Sequence, residues 1–213
     1  MTTNQSLPTE AEIFAALTAK QTPEAAALLR NARVAVAGCG GLGSNVSMYL
    51  ARMGVGHLHL IDFDRVELSN LNRQHYFLSD LGKPKAEALA AHLHEVNPYL
   101  DLQVTLTRVT EDNLAELFRD ADIICEAFDR AEAKAMLVSG ARSLFPAKPL
   151  IAASGLAGFG PANEIRTRRV MTNFYLAGDG VSDLSLPLCS ARVAMTAAHE
   201  ANQIARLILG LEK

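Results

Sequence analysis

The sequence has no tryptophan, and aromatic residues make up 6 % of its 213 positions, so its interior has to be built from aliphatic side chains. Cysteine is scarce as well. Cys39, Cys125 and Cys189 are the three, with no Cys-x-x-Cys pair, which argues against a disulfide framework and against a zinc ribbon. The six histidines form no ligand pattern: His57 and His59 share a strand face, and His92 and His94 diverge on a helix. No charge sign dominates. With a formal net charge of −3 there is no general reason to expect nucleic-acid or membrane binding. No apolar run approaches the ~20 residues that cross a bilayer, and Met1–Lys20 holds no signal-peptide core, so the expected location is the cytoplasm. Repeats, low-complexity tracts and interdomain linkers are missing too. The chain reads as a single domain over residues 1–213, with residues 1–30 as an N-terminal helical extension.

What is present is a regular alternation of strand and helix signals. Glu10–Arg30 has helical periodicity with a break at Thr22-Pro23, where a new N-cap begins. Strands are predicted at Arg33–Ala37, His57–Ile61, Leu102–Thr107, Asp122–Glu126 and Leu150–Ala153. Between them fall helices at Ser44–Met53, Lys85–Val96, Glu111–Phe118 and Ala131–Ser143. Asn163–Val170 and Phe174–Ala177 look like antiparallel additions, and Ala191–Leu209 like a closing helix. The fold class is therefore α/β: a doubly wound, mostly parallel Rossmann-like sheet with antiparallel C-terminal strands. Right-handed crossovers bring the C-terminal ends of the strands to one edge, so Gly38–Gly43, Asp62 and Ala127-Phe128-Asp129 should meet there.

That edge carries the chemistry. Gly38, Gly40 and Gly43 form a G-x-G-x-x-G turn with an extra Gly41, in which backbone N–H groups and the positive helix end face an anion. Asp62 ends the second strand, where an acid accepts hydrogen bonds from ribose hydroxyls. Asp64 is either a cap for the next turn or a ligand. Arg73 can clamp phosphate oxygens bidentately, and Asn70 and Asn72 offer neutral donors. Lys85, after the turn Gly82-Lys83-Pro84, can reach terminal phosphates as a point charge. Each alone reads as an ordinary surface or turn residue. Clustered behind a ribose acid, they suit a nucleotide whose phosphates are split, and NAD-dependent redox chemistry leaves them unexplained. Asp129 is either a magnesium ligand beside that triphosphate or the N-cap of the helix after it.

The series Gly38–Ser44, Asp62-Phe63-Asp64, Ser69–Gln74, Gly82–Lys85 and Asp129 resembles the signature of the ThiF/MoeB/HesA family, the ubiquitin-activating-enzyme-like adenylyltransferases. Ala153-Ser154-Gly155, Ile165–Arg168, Tyr175–Asp179 and Ala191-Arg192-Val193 look like its short ThiF subgroup. The resemblance implies adenylation, with magnesium-ATP, of the C-terminal glycine of a small ubiquitin-like (ThiS-like) sulfur carrier in thiamine biosynthesis. On matching positions Asp62 holds ribose, Arg73 and Lys85 hold phosphates, and Asn70 works near the α-phosphate. Asp129 binds the metal, with Gly38, Gly40, Gly41, Gly43, Asp64 and Ser69 completing the nucleotide site.

The resemblance also implies a homodimer in which an N-terminal arginine reaches the partner's ATP site. Lys20 is nearest to it by spacing and Arg30 is the weaker match. The zinc-binding cysteine pairs of longer relatives have no counterpart, so no zinc is expected. Cys189 is either a thiol acting after activation or a small residue that starts a helix. Two alternatives accompany the main reading. One is activation of another carboxylate, as in tRNA threonylcarbamoyladenosine dehydration; the other is a degenerate protein that binds the carrier without catalysis.

Overall fold

The computed structural model describes residues 7–183 and 185–212; the start of the expected N-terminal extension lies outside them. Helices α1 (Glu10–Thr18) and α2 (Pro23–Asn31) come first, and the predicted break between them is present. Thr22 caps α2 through its hydroxyl, which accepts from the Ala25 N–H, and Pro23 takes the first turn, where its missing N–H costs nothing.

Strands β1 (Arg33–Ala37), β2 (His57–Ile61), β3 (Asp101–Thr105), β4 (Ile123–Glu126), β5 (Leu150–Ala153), β6 (Arg166–Met171) and β7 (Phe174–Gly178) form one sheet in the order β3-β2-β1-β4-β5-β7-β6. The helices between them are α3 (Gly41–Met53), α4 (Lys85–Val96), α5 (Leu114–Leu117) and α6 (Ala131–Leu144), with α7 (Ser190–Ile208) last. All pairings are parallel except β6 with β7. The strand order reverses between β1 and β4, which opens the crevice that doubly wound sheets use for ligands.

Alternate residues of the strands serve the two faces. Val34, Val36, Cys125, Ile151 and Tyr175 pack with α3, α4 and α7, while Ala35, Ala37, Ile124, Leu150 and Ala152 pack with α5 and α6. Val34–Ala37 are thus buried on both sides, which is why β1 reads as a continuous apolar run. Each fully buried leucine or isoleucine in these layers contributes about 1.5–3 kcal/mol.

Several elements differ from expectation. The α5 helix shrinks because Asn113 accepts from the Thr110 N–H and donates to the Arg108 carbonyl, holding 108–113 as a turn. Strand β3 ends at Thr105, opposite the last residue of its sole neighbour β2. In the C-terminal hairpin, β7 pairs parallel with β5 and extends the parallel sheet, leaving β6 as the antiparallel edge.

Candidate functional site

The glycine turn is the hub of the sheet's carboxyl edge. Gly38 has φ +98°, and a Cβ there would stand 2.8 Å from the Ala127 carbonyl oxygen, so only glycine lets β1 pass this close to the loop after β4. A Cβ on Gly43 would stand 1.8 Å from the Gly38 oxygen. Helix α3 begins at Gly41 rather than at the expected Ser44, because the first turn is tied back by side chains. Ser44 donates to the Gly40 carbonyl at 2.7 Å and Asn45 to the Gly41 carbonyl at 2.6 Å. Gly40 has no capping side chain, and nothing crowds it: a Cβ would find only Gln74 Nε2, at 3.8 Å. The positive end of a thirteen-residue helix, whose first N–H groups have no side-chain cap among the described residues, therefore lies at this turn, as an anion site requires.

Asp62 is buried, 8 % exposed, and both its oxygens are engaged, by the Cys39 N–H at 2.6 Å and the Asp64 N–H at 2.8 Å. Burial pushes its carboxyl above the ordinary aspartate value, against the downward pull of those two amides and of the Lys85 ammonium. Each oxygen keeps a second lone pair for a ligand hydroxyl. Tyr76 closes the hub from below, donating to the Cys39 carbonyl at 2.6 Å, with the Lys85 carbonyl 3.2 Å away. Lys85 opens α4, its side chain nearly buried and its ammonium 3.1 Å from an Asp64 oxygen. Asp64 therefore does not cap the next turn; its carboxylate is the resting partner of the lysine.

The run Ser69–Gln74 crosses the mouth of α3. Arg73 lies alongside Gly41, with its Cγ and Cδ 3.6 and 3.7 Å from where a Cβ would stand. Asn45 donates to the Arg73 carbonyl at 3.1 Å and so fixes this loop to the helix. The guanidinium rests on the Ser69 carbonyl (3.1 Å) and on Asn72 Oδ1 (2.8 Å), and among the described residues no carboxylate pairs with it. Asn70 is buried and accepts from the Glu67 N–H at 3.0 Å, while Ser69 is exposed and contacts Glu67 at 3.5 Å. In this state both serve the short 3₁₀ turn Leu68–Asn70. Gln74 is buried, and its Oε1 lacks a partner among the described residues.

Asp129 is exposed at the same edge, two residues beyond the Ala127 carbonyl that meets Gly38. It does not cap α6: Arg130 is the N-cap residue, and no side chain bonds there. Among the described residues nothing bonds to the Asp129 carboxylate, and no group of three His, Cys, Asp or Glu side chains stands ready to hold a metal. A free carboxylate of this kind fits a hard divalent cation that takes its other ligands from phosphate oxygens and water. The strand leading to it ends in Glu126, fully buried and paired with Lys134 of α6 at 3.0 and 3.2 Å.

Neither candidate for the N-terminal cation reaches this edge within its own chain. Arg30 stacks on Phe14 and pairs with Glu10, and its carbonyl touches Gly56, which precedes β2 at the opposite end of the sheet. Lys20 is exposed beyond α1, next to Gln21, which donates to the Met53 carbonyl at the far end of α3. Cys189 is half-buried and is the N-cap residue of α7.

Gly38, Gly40, Gly41, Gly43, Asp62, Asp64, Asn70, Arg73 and Lys85 are thus gathered around one helix mouth, with Asp129 on the adjoining loop. Sequence reasoning missed Asn45, Tyr76, Glu126 and Lys134. For the last two a signal existed: an acid closing the apolar strand Ile123-Ile124-Cys125, with a lysine eight residues on.

Comparison with known proteins agrees with this architecture. A Thermus thermophilus protein described as a sulfur carrier protein adenylyltransferase is 38 % identical over 130 residues, covering 61 % of this chain and 47 % of the relative. A Haemophilus influenzae molybdopterin-synthase adenylyltransferase is 37 % identical over 110 residues, covering 51 % and 45 %. The matched stretch thus spans just under half of each of these curated relatives. The structure of E. coli tRNA N6-threonylcarbamoyladenosine dehydratase in complex with AMP superposes with a TM-score of 0.86, over 97 % of this chain and 99 % of that one, at 21 % identity, and so shares the fold. A sequence profile of the ThiF family matches residues 16–205, and the chain belongs to that family.

Proposed function

We propose that this chain is an ATP-dependent adenylyltransferase that activates the C-terminal glycine carboxylate of a small ubiquitin-like sulfur carrier, acts in thiamine biosynthesis, and works as a homodimer. The observation that carries the reading is Arg73, laid along Gly41 at the mouth of α3 with no carboxylate partner among the described residues. Lys85 stands on the adjoining helix. Two cations converging on an anion-binding turn suit a triphosphate that is cleaved. The Thermus relative's description supports the choice of acceptor, and the ATP and AMP complexes of the E. coli dehydratase support the choice of nucleotide.

In this reading the carrier's carboxylate oxygen attacks the α-phosphorus. The bond to the β-phosphate oxygen breaks, and its electron pair leaves with pyrophosphate. Asp62 accepts from the ribose hydroxyls, and the first N–H groups of α3 bind phosphate. Arg73 stabilises the charge that builds on the departing pyrophosphate, while Asn70 donates near the α-phosphate. Lys85, a flexible point charge, exchanges Asp64 for terminal phosphate oxygens. Magnesium held through Asp129 supplies further charge neutralisation when bound. Most of the catalysis is positioning and electrostatics, so the protein needs no nucleophile of its own at this step.

The test is carrier-dependent exchange of labelled pyrophosphate into ATP. Arg73→Ala and Asp129→Ala are each expected to slow exchange by about a hundredfold, and wild-type exchange in both would refute the mechanism. A second reading, activation of a tRNA-borne carboxylate, is favoured by one observation: Arg166, Arg168 and Arg169 are exposed together on the edge strand β6. ATP turnover stimulated by tRNA and indifferent to any carrier would select it.

A further inference from the structure

The loop that presents Asp129 is held from three sides, and one of them has no role in the chemistry described above. The Ala127 N–H donates to the Ala37 carbonyl at 2.8 Å, anchoring the loop to β1. The Ala127 carbonyl packs into the space that Gly38 leaves open. The Phe128 N–H, one residue before Asp129, donates to Glu126 Oε1 at 2.6 Å. Glu126 is 0 % exposed and, on the same carboxylate, takes the Lys134 ammonium at 3.0 and 3.2 Å.

A fully buried carboxylate at the end of a central strand is expensive to keep, and an apolar residue with apolar contacts at position 134 would satisfy packing at least as well. What an apolar residue cannot supply is an acceptor for the Phe128 amide. Lys134 in turn holds the carboxylate in place from the first turns of α6. Asp129 itself has no partner among the described residues, so its direction is set by the backbone on either side of it.

We propose that Glu126 and Lys134 form a positioning pair that aims Asp129 at a nucleotide-bound divalent cation: Lys134 orients Glu126, Glu126 fixes the Phe128 amide, and that amide sets the direction of the following carboxylate. The proposal rests on the nucleotide reading above and adds to it two residues that touch neither nucleotide nor metal. Supporting shells of this kind typically govern metal affinity by ten- to a hundredfold.

Two double variants separate positioning from stability. Glu126→Leu with Lys134→Met removes both charges and the acceptor, whereas Glu126→Gln with Lys134→Met removes both charges and keeps a carbonyl oxygen for the Phe128 amide. Affinity for Mn²⁺ is read by electron paramagnetic resonance in the presence of α,β-methylene ATP, which is not cleaved at the α-phosphate; nucleotide affinity is read separately without metal. The leucine–methionine protein is expected to bind Mn²⁺ at least about tenfold more weakly, with metal-free nucleotide affinity unchanged. The glutamine–methionine protein is expected to stay near wild type. A folded leucine–methionine protein with wild-type Mn²⁺ affinity overturns the proposal, as does an equal loss in both variants. Should the leucine–methionine protein not fold, hydrogen exchange at the Phe128 amide decides. It stays slow in Glu126→Gln and quickens in Glu126→Ala if the acceptor is what holds the loop, and equal rates in the two refute it. Failure of the unaltered protein to bind the nucleotide at all removes the underlying reading instead, and this proposal with it.

Discussion

Glu200 sits inside α7, fully buried on the sheet face that also carries Cys125, and among the described residues neither of its oxygens has a hydrogen-bond partner. Burial pushes its carboxyl well above the ordinary glutamate value of 4.5, with Lys134 pulling down and Glu126 pushing up. The native protein thus keeps this proton over a range in which the unfolded chain has lost it. Below the ordinary value both states are protonated and the position carries no pH-linked cost. As the pH rises past it, stability falls by about 1.4 kcal/mol per unit until the native carboxyl itself titrates. Glu200→Gln keeps the shape and cannot ionise. It should match the wild type near pH 4 and exceed it by a margin that widens as the pH rises toward neutrality. Urea unfolding of both proteins from pH 4 to 7.5 gives the comparison directly. A stability difference that stays constant across that range would refute the reasoning, because it would mean that Glu200 is ionised to the same extent folded and unfolded.

The glycines of the turn should separate by the room above them. Gly43→Ala places a Cβ 1.8 Å from the Gly38 oxygen and should lower the melting temperature sharply, whereas Gly40→Ala meets nothing closer than 3.8 Å and should fold normally while weakening nucleotide binding. Thermal unfolding paired with nucleotide titration distinguishes the two. Lys134→Met alone leaves the buried Glu126 without its counter-charge and should cost about 3–5 kcal/mol at neutral pH. Burial already holds the Glu126 carboxyl above its ordinary value, and losing Lys134 raises it further, so the deficit should shrink as the pH falls and Glu126 takes up a proton. Denaturant midpoints at pH 5 and pH 7.5 check the sign. Lys85→Met should weaken ATP binding, while Asp64→Asn, which frees the ammonium from its resting partner, should leave binding intact or tighten it. Calorimetric titration of both variants reads the difference.

Much of the fold was legible because its signals are local. Arg33–Ala37, His57–Ile61, Lys85–Val96 and Leu150–Ala153 have the expected bounds, and α3 and α4 end where the Gly54 and Asn97-Pro98 stops imply. Helix α3 starts three residues before the expected Ser44, although glycine argues against helix on propensity alone. In the folded chain the Ser44 and Asn45 bonds and the contact of Gly43 with β1 outweigh that penalty. The direction of β7 was not legible either, since a strand's own residues do not say which neighbour it will pair with.

For the site, the sequence by itself determined which groups would gather: the glycines, Asp62, the Ser69–Gln74 run, Lys85 and Asp129 all follow from motif spacing and from crossovers that bring strand ends to one edge. Tertiary structure alone decided what those groups do at rest. It gave Asp64 to Lys85, set Asn70 to hold a turn, left Arg73 and Asp129 without a counter-charge among the described residues, and placed Glu126 under the loop that carries Asp129. The physical reason is range. Strand and helix follow from neighbours a few residues apart. Whether a charge is paired, buried or free depends on partners 8 to 21 residues away or more, brought together only when the sheet closes.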